Sequence, residues 1–126
     1  LFRSSRKPQE EQRPSLLRAI RPRMPKEHFP KATDDWALVD ADKLTEPLSL
    51  RHWKAGDTFY PITSGHRMRK KLQDFFCDLK LSLAEKDAVW LLCSGEDIVW
   101  VIGYRIDDRY KVTAETKRIA ELQIEA

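Results

Sequence analysis

Glycine is scarce in this chain. Four residues in 126, at positions 56, 65, 95 and 103, leave no closely spaced set that could cradle a phosphate. Phosphate loops and dinucleotide fingerprints need such spacing so that backbone amides can approach the ligand, which excludes those nucleotide-binding classes. Cysteine is equally sparse. Cys77 and Cys93 each follow apolar neighbours, Phe75-Phe76 and Leu91-Leu92, so both are expected to be buried free thiols in a reducing compartment. His28, His52 and His66 stand 24 and 14 residues apart, with no Cys or carboxylate at ligand spacing, which speaks against a metal site. No apolar run approaches membrane-spanning length and no charged-then-apolar leader opens the chain, so no membrane partner is expected and the compartment expected is the cytoplasm. Serine-nucleophile patterns are missing as well. The first residue is Leu rather than Met, which suggests a piece of a longer protein.

Charge is present in quantity and is segregated. The net charge is only +3, yet residues 1–26 carry eight cations against two acids, and 27–50 carry two against six. Residues 51–71 carry six cations against one acid, and 72–126 carry seven against eleven. Two basic zones diluted by two acidic ones suit an anionic partner met by one face. The second zone culminates in Arg67-Met-Arg-Lys-Lys-Leu-Gln-Asp-Phe-Phe76, four cations followed by Leu72, Phe75, Phe76 and Leu79 at helical spacing. That pattern predicts a helix over 68–80 whose start is strongly positive. Cations there oppose the helix dipole, a placement that a bound polyanion would relieve. A solvated basic turn is the plainer reading, and both stay open.

Five of the seven prolines fall in the first thirty residues, so 1–33 reads as a basic, proline-rich linker or the tail of a preceding domain, with room for one strand at Ser15–Ile20. The compact domain is expected over 34–126. Strands are expected at Trp36 onward, Leu48–Trp53, Thr58–Tyr60, Ala88–Cys93, Ile98–Ile102 and the alternating tail 120–124. Ser94-Gly-Glu-Asp97 forms a hairpin turn, and Ser82 with Glu85 has the spacing of a capping box on a short second helix. The sum is α+β, mostly strand around a sandwich-like core, with one main helix.

Binding is better supported than catalysis. Arg51, Lys54, Arg67, Arg69, Lys70 and Lys71 form one basic zone if the second strand lies beside the start of the helix, and Arg105, Arg109 and Lys111 can join it. Asp107-Asp108, flanked by Arg105 and Arg109, suits ion pairs that orient those arginines better than a catalytic carboxylate pair. Trp90 and Trp100 read as core, whereas Trp53 and Tyr60, beside cations, are the stacking candidates.

Several ordered stretches together resemble the C-terminal domain of bacterial tRNA(Ile)-lysidine synthetase. They are Asp40-Ala-Asp-Lys-Leu44, Pro47-Leu-Ser-Leu-Arg51, Gly56-Asp-Thr-Phe-Tyr-Pro61, Lys70-Lys-Leu-Gln-Asp-Phe-Phe76, Ile98-Val-Trp-Val-Ile-Gly103 and Arg105-Ile-Asp-Asp-Arg-Tyr-Lys-Val-Thr113. The family's Gly-Met-Lys-Gly-like loop is replaced here by Ile62-Thr-Ser-Gly-His-Arg-Met-Arg69, longer and without the first glycine. The resemblance implies a small β-rich tRNA-binding module, similar to one in the phenylalanyl-tRNA synthetase β chain, that contacts the acceptor stem of tRNA(Ile). It implies Arg51, Lys70, Lys71, Arg105 and Arg109 as phosphate-contacting or loop-ordering residues. It also implies a parent reaction in which ATP, with Mg, adenylates C2 of the wobble cytidine-34 and lysine then displaces AMP, changing codon reading from AUG to AUA. That chemistry belongs to an N-terminal catalytic domain with a Ser-Gly-Gly-x-Asp-Ser loop, a sequence not found here, so no cofactor is expected in this chain. The other partner implied is the catalytic domain of the same polypeptide, and a homodimer is left open. A docking module of that enzyme and a free-standing RNA-binding protein remain rival readings.

Overall fold

The computed structural model describes residues 13–25, 27, 32–63 and 65–125. The rest of the proline-rich segment, His28 included, lies outside the described residues. Strand β1 (Ser15–Pro22) forms and runs two residues beyond Ile20. It pairs antiparallel with β9 (Arg118–Glu125), which also pairs with β2 (Trp36–Asp40), giving a three-stranded sheet β1-β9-β2. The second sheet has four strands in the order β3-β6-β7-β8, from Leu48–His52, Trp90–Ser94, Asp97–Val101 and Arg105–Ile106.

The two sheets share one core. Ala37, Val39, Ala120 and Leu122 from the first meet Leu92, Val99 and Trp100 from the second, all fully buried. The opposite face of the second sheet is apolar too, with Leu91, Cys93, Ile98 and Val101 packed on Phe59, Leu72, Phe75 and Phe76. A sheet covered on both faces must be apolar at nearly every position, which explains the continuous runs 90–93 and 98–101. One extra residue in β7, Val99, breaks the register opposite Leu92 and Cys93 and lets the strand serve both layers.

Helix α1 (Leu72–Asp78) is shorter than the 68–80 expected. Lys70–Lys71 instead form the short strand β5 against β4 (Thr58–Phe59), and the Leu72 amide donates to the Asp57 carbonyl. The cation cluster therefore precedes the helix and does not sit in its first turn, where it would oppose the dipole. At the other end Lys80 takes a left-handed φ of 58°, and the amides of Lys80 and Leu81 donate to the carbonyls of Cys77 and Phe76. This paired closure leaves Leu79 outside the helix and 38% exposed, so it is not part of the buried stripe. Helix α2 (Leu83–Ala88) has the expected capping box, with Ser82 and Glu85 satisfying each other's backbone amides.

The thiols differ from expectation. Cys93 is buried, but Cys77 is exposed, one position beyond the buried face that Leu72, Phe75 and Phe76 create. Trp90 is only half-buried and stacks on His52 at 3.8 Å, whereas Trp100 is fully buried. A thiol reagent should label one cysteine promptly in the native protein and the second only on unfolding; simultaneous prompt labelling of both would contradict this packing. Phe76→Ala should cost about 3–5 kcal/mol in chemical denaturation, because the ring is fully enclosed between α1 and the second sheet.

Candidate nucleic-acid interface

The site is built around a carboxylate with no solvent access. Asp107 is 0% exposed, and both its oxygens are saturated. Oδ1 accepts from the Arg109 amide (2.8 Å) and Arg109 Nε (3.0 Å), while Oδ2 accepts from the Tyr60 amide (2.9 Å) and Arg109 Nη2 (3.0 Å). The Asp107 amide in turn donates to the carbonyl of the bulged Val99 at 2.8 Å. One residue, through its side chain and its amide, thus ties the end of β4, the bulge of β7 and the 3-10 turn Asp108–Tyr110 into a unit. Arg109 lies with its guanidinium 4.6 Å from the Tyr60 ring centre. Burial would lower its pKa, but the Asp107 hydrogen bonds and charge outweigh that and raise it, so Arg109 stays protonated.

Asp108, also buried, takes Arg67 Nε at 2.6 Å and Lys111 Nζ at 2.7 Å. Burial alone would raise its pKa, yet hydrogen bonds from Lys111 and Arg67 prevail and hold the carboxyl below the usual range. Lys43 lines the same cleft and makes no ion pair among the described residues.

A second pair stiffens the turn that leads into β4. Arg51 grips Asp57 with both terminal nitrogens, at 2.9 and 3.0 Å, and Asp57 Oδ2 also accepts from the Lys54 amide at 2.8 Å. Gly56 turns the chain there at φ 92°, a conformation that side chains with a Cβ rarely adopt. Three exposed cations gather around this turn. Lys54 is in it, Lys71 is opposite Thr58 in the β4–β5 register, and Arg69 lines a cleft with Gly56, Asp57 and Thr58. Lys54, Arg69 and Lys71 make no ion pair among the described residues.

The other expected cations are placed differently. Lys70 pairs with Asp78 across α1. Arg105 does not pair with the Asp107-Asp108 couple: its Nη1 donates to the Ile62 carbonyl at 3.0 Å, and its guanidinium sits 5.5 Å from the Phe75 ring centre. Arg67, from the far side of the 62–69 loop, takes the place expected of Arg105 because β8 points Arg105 toward that loop's start. Neither stacking candidate has a clear ring. Trp53 is half-buried edge-on to Phe76 with Lys86 5.3 Å from its ring centre, and one face of Tyr60 carries Arg109. Lys43 was missed because it belongs to the acidic block 27–50, and nothing local marks it as a neighbour of Arg67. Among the described residues no group of three His, Cys, Asp or Glu is placed to hold a metal ion.

Two packed sheets and a helical layer on the outer face define a β-sandwich domain, with Lys54, Arg69 and Lys71 exposed around one turn. The chain belongs to the family described as the TilS substrate C-terminal domain, which it matches over residues 48–124. It is similar to the tRNA(Ile)-lysidine synthase of Parabacteroides distasonis, 53% identical over 83 residues that cover 66% of this chain and 18% of that protein. The synthase of Bacteroides thetaiotaomicron is 46% identical over 83 residues, 66% of this chain and 19% of that one. That of Clostridium acetobutylicum is 38% identical over 86 residues, covering 68% and 18%. The chain spans less than a fifth of the length of these curated relatives. In fold it is similar to a crystal structure of the TILS C-terminal domain, with a TM-score of 0.67 at 24% identity, covering 88% of this chain and 82% of that one. Family membership sets aside an RNA-binding protein unrelated to the synthetase.

The Tyr110 hydroxyl donates to Asp97 Oδ2 at 3.0 Å from a buried ring. Burial, then the neighbouring Asp97, pushes this phenol up to about 12. A folded pKa above the unfolded value of about 10 favours the neutral form, so its contribution is intact below pH ~10 and lost as pH rises toward 12. Alkaline titration of phenolate absorbance should contain a step near pH 12 that Tyr110→Phe removes.

Proposed function

We propose that this domain is the tRNA-contacting part of an ATP-dependent tRNA(Ile)-lysidine synthase, and that its basic face rests on the acceptor stem of tRNA(Ile). The observation that carries this reading is the group Lys54, Arg69 and Lys71, three exposed cations without ion-pair partners among the described residues, set around a turn that the Arg51–Asp57 fork holds rigid. A charge that has no carboxylate to satisfy it, on a support that does not move, is suited to a phosphate. Arg51, Arg67 and Arg109 are held by aspartates and shape the face, while Lys70 and Arg105 border it.

The ligation itself is assigned to a catalytic domain of the same polypeptide. ATP with Mg would activate C2 of the wobble cytidine there and lysine would displace AMP, with the present domain holding the other end of the tRNA. Such a reaction takes place in the cytoplasm, where the tRNA is. A second reading, docking on the catalytic domain, is favoured by one feature: an open cleft of about 690 Å³ between Pro14, Asp34, Asp35, Trp90 and Tyr104, far from the free cations in sequence and largely apolar.

Replacing Lys54, Arg69 and Lys71 together with Ala should weaken tRNA binding and leave thermal unfolding nearly unchanged. Removing one cation from a phosphate flattens the dependence of log K on log salt by about 0.7–0.9, so the triple variant should lose roughly 2–3 units of slope. Wild-type affinity and slope in a folded triple variant would hand the function to the docking reading.

A further inference from the structure

Two clefts flank Arg109 and share a wall. One, of about 340 Å³, lies on the side of Gly56, Thr58, Tyr60 and Arg69, with Asp57, already held by Arg51, and the exposed Glu96 at its edge. The other, of about 400 Å³, lies on the side of Lys43, Arg67, Lys111 and Thr113. Asp97 and Arg109 line both. The wall is closed by a carboxylate: Asp97 Oδ2 accepts from the Tyr110 hydroxyl at 3.0 Å, and Oδ1 stands 3.4 Å from Arg109 Nη1. The Asp97 side chain is 51% exposed, in contrast to the fully enclosed Asp107 on the other edge of the same guanidinium.

We infer that the paired clefts are a track for two successive phosphates of an RNA backbone that crosses the wall at Arg109, and that Asp97 is a built-in competitor a phosphate displaces. The inference rests on the tRNA-binding reading above and adds a path and a gate to it. Arg109 is prepared for the task. With Nε and Nη2 fixed on Asp107, the fork is held in place, and Nη1 remains as the donor toward the half-exposed Asp97. Burying a carboxylate beneath a surface arginine is weak support for stability, because desolvation offsets most of the attraction. As a way to hold one guanidinium in place it has a clear purpose.

Asp97 presents a carboxylate where a phosphate would sit, with Oδ1 toward the guanidinium and Oδ2 on the phenol hydroxyl. A lone anion must compete with that carboxylate for Arg109 and gains little else. A polyanion gains at both sides of the wall, from Arg69 in one cleft and from Lys43, unpaired among the described residues, in the other, where Arg67 and Lys111 are shared with Asp108. Asp97 thereby favours a chain of phosphates over single small anions, at some loss of affinity for both.

Two exposed substitutions test this without disturbing the buried hub. Asp97→Asn keeps an acceptor for Tyr110 but removes the competing charge, and should tighten tRNA binding roughly two- to fivefold at low salt, the range of one exposed ion pair. Lys43→Ala removes a cation that has no ion-pair partner among the described residues and should lower the salt slope by about 0.9 on duplex RNA. An unchanged slope in Lys43→Ala overturns the two-cleft track, and unchanged or weaker binding by Asp97→Asn overturns the gate. Both results are read beside the Lys54/Arg69/Lys71 variant. If that variant loses affinity as expected while these two do not respond, the track fails alone. If the unmodified chain binds no tRNA, the reading beneath it fails too.

Discussion

The Asp107 carboxylate is the constraint on which the basic face depends. It is the one fully enclosed acid among the described residues, and it is fully saturated by the Tyr60 amide, the Arg109 amide and the Arg109 fork. A buried ionised group left short of partners would be costly, so each of these donors is obliged to stay where it is. The obligation spreads outward. Tyr60 fixes the end of β4, which sets the β4–β5 register and with it the position of Lys71. The amide of Asp107 on the Val99 carbonyl fixes the bulge that allows β7 to pack on both layers. The fold and the cation geometry therefore share a single polar anchor.

Charge segregation along the chain means something different once the fold is known. The acids of the last block are not simply a negative surface. Asp107 and Asp108 reach back to order Arg109, Arg67 and Lys111, and Asp57 does the same for Arg51 within its own block. These pairs are buried on the acid side and more open on the cation side. Asp57, Asp107 and Asp108 are thus turned inward, and the cations they hold are the more open partners.

Strand positions, the Ser94–Asp97 hairpin and the Ser82 capping box were legible because their signals are local: apolar runs, a glycine turn and a three-residue spacing. The reach of α1 was not. Lys70 and Lys71 look helical in sequence because they directly precede an apolar helical stripe, but the strand Thr58–Phe59 earlier in the chain claims their backbone. Cys77 illustrates the same limit at finer grain, since it is helical yet one position beyond the face that Leu72, Phe75 and Phe76 bury, which apolar neighbours in sequence do not reveal. The basic residues themselves were visible as a cluster. Which of them are free was not, because the partner of Arg67 is distant in sequence and that of Arg109 lies in a turn whose geometry no periodicity encodes. Lys43 was hidden for the opposite reason, a lone cation among acids that tertiary structure carries to the basic side.

Most arginines on this face are held and most lysines are not, and the chemistry of the two side chains explains the tendency. The exceptions are Arg69, unpaired among the described residues, and the paired Lys70 and Lys111. Arg51, Arg67 and Arg109 are all held on aspartates, and two of them use the planar fork that a carboxylate fits. Lys43, Lys54 and Lys71 make no such pair among the described residues and keep their flexible, hydrated charge. A planar guanidinium surrenders little by being fixed, whereas an ammonium is most useful as a mobile point charge that can follow a backbone. Fixing the arginines internally means that the shape of the face does not wait for a ligand, so less ordering is required when one arrives. The lysines can then adjust to phosphates whose spacing differs from one helix position to the next. Under the proposed function, a surface built this way would read the form of an RNA backbone more readily than its bases, and selection among tRNAs would have to come from elsewhere on the polypeptide.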